Sequence, residues 1–142
     1  MRDAKKEIVT ALITSISAKL PTRDIFTIVP KPINDSGAAA PLNYILISDI
    51  YQQDESPKNS LIYSYDVLVQ VVYNNVTSKI TFWSDISSVV SIISSRRDLV
   101  LTNDFQCQEI GLLSNSEEEI WTDTGRKNIG VVRFKVDVKD HG

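Results

Sequence analysis

The segment from residue 61 to residue 73 alternates between two kinds of side chain. Its odd-numbered positions are apolar or aromatic and include Tyr63, Tyr65 and Tyr73, whereas its even-numbered positions mix apolar and polar side chains. A period of two predicts a β-strand. Thirteen residues at ~3.4 Å each span roughly 44 Å, about twice the length of a typical strand. We therefore expect one face of this strand to be buried and its end to extend beyond the body of the domain.

Two other segments have the period of an amphipathic helix. The first covers residues 3 to about 20 and ends at Pro21; the second covers about 80 to 96. Trp83 shares the apolar stripe of the second helix, so we expect it in the core. Three residues are candidates for the N-cap of this helix, and the spacing does not choose among them. They are Thr77, Ser78 and Ser84.

Further strands are predicted where short apolar or alternating runs are bounded by turn residues. They cover residues 25–29, 44–50, 99–101, 105–113 and 131–138. The polar segment 51–60 predicts that strands 44–50 and 61–73 form an extended hairpin. Residues 30–43 contain three prolines and predict a flexible arm or loop, and residues 114–128 predict an acidic loop.

The order of these elements indicates the fold class. Runs of strands with helices set apart from them are typical of α+β domains. We therefore predict a mainly antiparallel sheet with a long β-hairpin, packed against two amphipathic helices. At 142 residues, the chain fits one domain over residues 1–142 and is long enough to bury a core.

Composition narrows the classes of function. The net charge of −3 argues against general binding of nucleic acid, which usually requires a basic surplus. No run of 18 apolar residues occurs, so no membrane span is predicted. A single cysteine excludes an internal disulfide.

The reactive side chains do not form a recognisable catalytic or metal-binding set. His141 is the one histidine and lies at a chain end, where side chains are usually mobile. Cys107 occupies an alternating strand position that favours a buried structural thiol. Consecutive carboxylates at residues 117–119 do not converge well on a cation. We predict no catalytic residue, no metal and no cofactor.

Trp121 stands out because it interrupts a polar segment. A large aromatic side chain in that position either packs back onto the domain or serves as a contact for a partner. The sequence favours a protein that works by binding other proteins.

The order of elements resembles that of the tail-completion and tail-terminator proteins of tailed bacteriophages, which lie at the head-to-tail neck. The resemblance covers nearly the whole chain. It is carried by an N-terminal helix ("KKEIVTALITSISAKL"), a strand ("YILISDI"), a long aromatic-rich strand ("LIYSYDVLVQVVYNN"), a middle helix ("FWSDISSVVSIISS") and a closing segment that ends in "VVRFKVDV".

The resemblance implies a non-catalytic virion protein that assembles in the host cytoplasm. Such proteins form a ring, commonly a hexamer, which ends or completes the tail and docks it to the connector. The implied partners are other copies of the chain and neighbouring neck, portal-adaptor or tail-tube proteins, while DNA passes through without specific binding and no membrane is involved. The candidate subunit contacts are Tyr63, Tyr65, Tyr73 and Trp121. The candidate channel-facing acidic residues are Glu117, Glu118 and Glu119.

Two alternatives stay open. The chain could be another stacked ring of the neck, with twelve copies matching the portal of a short-tailed phage. From a different class, it could be a cytoplasmic α+β domain that binds a small ligand or acts as an enzyme. A ring protein should form a large assembly, whereas an enzyme should have a cleft with perturbed ionisable groups.

Overall fold

The computed structural model describes residues 3–30, 43–52, 62–74, 78–93, 99–122 and 125–141. In these residues two helices and five strands form an α+β domain, which confirms the predicted fold class. The elements are α1 (Lys5–Lys19), β1 (Asp24–Phe26), β2 (Asn43–Gln52), β3 (Ile62–Asn74), α2 (Ile80–Ile92), β4 (Phe105–Thr122) and β5 (Gly125–Asp140). Neither helix is long and apolar enough to cross a membrane.

The strands form one sheet in the order β1-β2-β3-β5-β4. The short β1 is parallel to β2, and the other three pairings are antiparallel. Strands β2 and β3 pair directly, as predicted, although the segment that joins them lies outside the described residues. Most of the predicted arm at residues 30–43 also lies outside them.

The core lies between one face of the sheet and the two helices. The odd-numbered residues of β3 and the even-numbered residues of β5 point to this face, since successive strand residues alternate between faces. Helix α1 contributes Ile8, Leu12 and Ile16 at intervals of four residues, and α2 contributes Phe82 and Ile86.

Helix α2 packs closely against β5 at Gly130. A Cβ atom placed on Gly130 would lie 2.4 Å from Cδ1 and 2.7 Å from Cγ1 of Ile86. These distances are shorter than real carbon contacts, so the absence of a side chain at residue 130 lets the helix pack this close to the strand. Gly130 pairs with Val71 on one side and Glu117 on the other, which makes it a central position of the sheet.

Three predictions about the elements are wrong. The predicted acidic loop at 114–128 is not observed in the described residues: 114–122 belong to β4 and 125–128 to β5, which pair up to Thr122 and Gly125. Residues 99–101 are not a strand, since no ladder includes them and Leu99 packs in the core instead. Strand β3 does not extend past the sheet, because all of its thirteen residues pair with β5.

The start of α2 also differs from the predicted cap. Lys79 occupies the N-cap position and makes no side-chain cap. The Oγ atom of Ser78 accepts a 3.4 Å hydrogen bond from the backbone N–H of Ile80, whereas Ser84 lies inside the helix. The third candidate, Thr77, lies outside the described residues.

Candidate interaction surface

The second half of β4 is the most open regular element that the structure describes. From Leu112 to Thr122 every residue is exposed. The helices pack mainly over β2, β3 and β5, and β4 lies beyond them at the end of the sheet. The strand therefore has water on both faces and along its outer edge.

A surface groove of about 280 Å³ lies between this strand and α2. Its lining residues are Trp83, Ile86, Ser87, Val90, Asn115 and Glu117. The Nε1–H of Trp83 donates a 2.9 Å hydrogen bond to Oε1 of Glu117, which joins the helix to the strand across the groove. The groove thus combines apolar walls with a carboxylate at its rim.

Trp83 corrects the expectation that it is a core residue. Its side chain is 50% exposed. The buried residues of α2 include Phe82 and Ile86, whereas Trp83 lies at the flank of the apolar stripe and lines the groove. Periodicity identifies the stripe, but the position of the helix within the layer decides which of its residues are buried.

Trp121 lies one residue before the end of β4, opposite Arg126 of β5. It is 75% exposed, so the alternative in which it packs back onto the domain is not observed. Arg126 places Nη1 3.5 Å from Oε1 of Glu119. The end of the hairpin therefore presents an indole and a guanidinium on one face, because residues that pair across two strands share a face.

The three candidate channel-facing glutamates are all exposed on β4. Because they are consecutive in a strand, Glu117 and Glu119 point to the face that carries the helices, whereas Glu118 points to the opposite face. The three glutamates therefore lie on both faces of the strand. Whether any of it faces a channel stays a prediction.

Two of the three tyrosines of β3 are buried and do not match the partner contact that was predicted for them. Tyr65 and Tyr73 are 0% and 2% exposed, so they lie in the core of the protomer and offer no surface to a partner. Their hydroxyl groups reach Ala4 N–H and the carboxylate of Asp85. Tyr63 is partly buried against the same core. Of the four proposed contacts, Trp121 alone is largely exposed.

A buried polar cluster fixes the position of α2. The carboxylate of Asp85 is 3% exposed and accepts a 2.7 Å hydrogen bond from Nε of Arg23. The hydroxyl of Tyr73 donates to the same Asp85 oxygen. Burial, together with the hydrogen bond to Asp85, raises the pKa of Tyr73 to about 12.

Sequence reasoning missed this cluster because Asp85 falls on the serine-rich side of α2. A charged residue next to the apolar stripe, with an arginine outside the helix to pair with it, was the available signal. The cluster joins three elements that are distant in sequence, namely the segment before β1, strand β3 and helix α2. By holding α2 in place, the cluster positions Trp83 for its contact with β4.

Cys107 and His141 do not form a reactive pair. Cys107 is buried on the core face of β4. The Nε2 atom of His141 lies 2.8 Å from Oε1 of Gln106, the neighbouring residue, whose side chain points to the opposite face of the strand. Within the described ranges no three His, Cys, Asp and Glu side chains group as metal ligands.

Comparison with known proteins finds similarity at the level of the fold. No protein-family model matches the chain, and no curated protein matches it. Among solved structures, a chain of the virion of a native gene transfer agent particle matches with a TM-score of 0.65 and 17% sequence identity. The match covers 94% of this chain and 92% of that chain. The two chains therefore share a fold over nearly their whole lengths.

Proposed function

We propose that this protein is a non-catalytic structural component of a phage-like virion. Within the virion, we propose that it forms a ring at the head-to-tail junction. The ring ends or completes the tail and docks it to the connector. Its partners are other copies of the chain and neighbouring neck, portal-adaptor or tail-tube proteins.

The observation that carries the proposal is the likeness in fold to a chain of the gene transfer agent virion, which is a phage-like particle. The likeness spans both chains almost from end to end, so it concerns the whole domain and not a common substructure. The resemblance in the order of elements to tail-terminator proteins points to the same class independently of the coordinates.

The open part of β4 supports a role in assembly. An 18-residue strand at the end of the sheet, with a 75% exposed tryptophan near its tip, leaves apolar and main-chain groups in water. Exposed apolar side chains of this kind mark surfaces that another protein covers. Tryptophan is also among the residues that contribute most to protein interfaces.

The proposal can be tested by deleting the coding sequence from the genome that carries it and imaging the resulting particles. A tail terminator should leave tails of uncontrolled length, whereas a neck ring should leave separate heads and tails of normal length. Normal, infectious particles would contradict a virion role at the junction. Gold labelling of a tagged copy should place it at the neck, and a copy absent from purified particles would contradict the proposal directly.

Complementation of the deletion tests the proposed contact. Wild-type protein should restore joined particles, and Trp121→Ala should restore them at least about tenfold less well, which is the effect of losing one strong interface residue. Val100→Ala is the matched control, because Val100 is 74% exposed and lies outside β4. It should complement like the wild type.

A further inference from the structure

The outer edge of β4 has an irregular first half and a regular second half. The pairing of β4 with β5 shifts register between Cys107 and Glu109 and again between Leu112 and Ser114. From Ser114 to Thr122 the pairing continues without a shift. Bulges hinder the pairing of an edge with a further strand, so the first half is protected and the second half is not.

The second half should therefore attract other strands. No strand of the described ranges lies beyond β4. Ile120 and Trp121 add exposed apolar side chains to the main-chain groups of the edge. A long, regular and partly apolar edge is a template on which another chain can pair. The one feature of this half that opposes such pairing is the run from Glu117 to Glu119.

The position of the glutamates determines which strands they repel. If a second copy paired antiparallel with its β4 centred at Glu118, Glu118 would face Glu118 of the second copy. Glu117 would then face Glu119 of the second copy, and Glu119 would face Glu117 of the second copy. Registers shifted by one or two residues either way would still oppose at least one pair of carboxylates. Like charges directly opposite each other destabilise strand pairing.

We propose that the second half of the β4 edge is a strand-pairing surface whose partner is selected by charge. The three glutamates exclude a second, identical β4 edge and admit an extended strand that carries basic side chains. This inference does not depend on where in a particle the protein resides.

The structure indicates how a basic strand would fit. Opposed residues in antiparallel strands have Cβ atoms ~4.5–5.5 Å apart, so a lysine or arginine opposite each glutamate would lie within ion-pair range. Because the glutamates point to both faces, the partner needs basic residues at successive positions. An apolar side chain on the face that carries the helices would enter the groove between Trp83 and β4. Main-chain hydrogen bonds would supply affinity, and the charges would supply selectivity.

The first test uses a variant of this chain as the basic partner. Glu117→Lys, Glu118→Lys and Glu119→Lys are combined in one variant, which should repel itself just as the wild type does. An equimolar mixture with the wild type, at neutral pH and about 0.15 M salt, should form a 1:1 complex in sedimentation velocity, above the mass that either protein shows alone. In the mixture, hydrogen exchange should slow at edge-facing amides between residues 114 and 121.

A matched control separates edge pairing from attraction between oppositely charged proteins. Asp24→Lys, Asp49→Lys and Glu109→Lys change three exposed acidic residues outside the regular half of β4. Both variants change the formal net charge from −3 to +3, since each of three substitutions adds two charges. The control should not form the complex. If it binds the wild type as well as the first variant does, or if neither binds, the proposal is wrong.

A second variant keeps the test decisive if the lysine variant does not fold. Combining Glu117→Gln, Glu118→Gln and Glu119→Gln removes the repulsion and should raise the self-association constant of the protein at least about tenfold. Neutralising Asp24, Asp49 and Glu109 in the same way should leave self-association unchanged. Equal behaviour of the two neutralised variants would overturn the proposal. Both tests use purified protein, so a failure here and a failure to find the protein in particles are separate results.

Discussion

A methyl group at residue 130 probes the close packing of α2 on β5. In Gly130→Ala the new Cβ would lie 2.4 Å from Cδ1 and 2.7 Å from Cγ1 of Ile86, so this buried side chain would have to shift. Overpacking of this kind costs about 1–3 kcal/mol. Alanine also recovers about 0.5–1 kcal/mol relative to glycine within a strand, because glycine loses more backbone freedom on folding. We therefore expect the free energy of unfolding to fall by up to about 2.5 kcal/mol, with a central value of about 1 kcal/mol.

Gly111→Ala is the matched control. A Cβ on Gly111 meets no atom within 4 Å, so the substitution keeps the gain in backbone entropy and adds no clash. Its free energy of unfolding should stay the same or rise by up to about 1 kcal/mol. Both residues lie in strands of the same sheet, so the difference between the two variants isolates the contact with α2.

The double variant Gly130→Ala/Ile86→Val identifies the atom responsible. Valine lacks the Cδ1 atom, and Ile→Val alone costs about 0.5–1.5 kcal/mol in a core. Valine keeps Cγ1 and so retains part of the clash, but the double variant should still lose less than the sum of the single variants. The assay is urea unfolding, monitored by tryptophan fluorescence and by circular dichroism. All variants are fitted with one m value, which is the slope of the free energy of unfolding against urea concentration. Strictly additive losses, or a Gly130→Ala variant as stable as Gly111→Ala, would refute the proposed contact.

Three further predictions concern buried groups. Asp85→Asn should lower the free energy of unfolding by about 2–3 kcal/mol, because Arg23 would keep its charge in a partly buried position without a carboxylate; a loss below about 1 kcal/mol in urea unfolding would contradict this. The pKa of Tyr73 rises on folding from 10 to about 12, so its contribution to stability is fully present below pH 10 and is lost as the pH rises through 12, by at most about 3 kcal/mol. The free energy of unfolding of the wild type should therefore fall toward that of Tyr73→Phe between pH 10 and pH 12. A difference that stays constant over this range would contradict the raised pKa. The buried thiol of Cys107 should react with a disulfide reagent at least about a hundredfold more slowly in the native protein than in urea; equal rates would show that β4 opens freely.

The β2–β3 pairing and both helices could be predicted from the sequence because each has a strong local period. Every odd-numbered residue from 61 to 73 is apolar or aromatic, and the stripes of the helices repeat every three to four residues. The alternation of side chains in β3 identifies the two faces of the strand but does not determine which face the helices cover. The role predicted for Tyr65 and Tyr73 failed for that reason, since the side of the sheet on which helices pack is a tertiary property.

The second half of β4 could not be predicted because its own residues favour a loop. The sequence SNSEEE has low β-propensity and no alternation, and both faces of the strand are exposed. It is a strand because β5, which has a strong alternating pattern, pairs with it over its whole length. The groove beside Trp83 depends on the same pairing, so neither it nor the buried cluster at Asp85 could be deduced from local pattern.

The position of β5 has a consequence for how the chain is made. It lies between β3 and β4, although both are synthesised before it. A ribosome that has completed residue 122 has produced an 18-residue strand whose described partner does not yet exist. The sheet is completed only when β5 inserts, which requires contacts between distant parts of the chain and makes folding slow. A chain interrupted before residue 125 would leave the β3 edge that pairs with β5 without its partner strand and would become a substrate for chaperones and proteases.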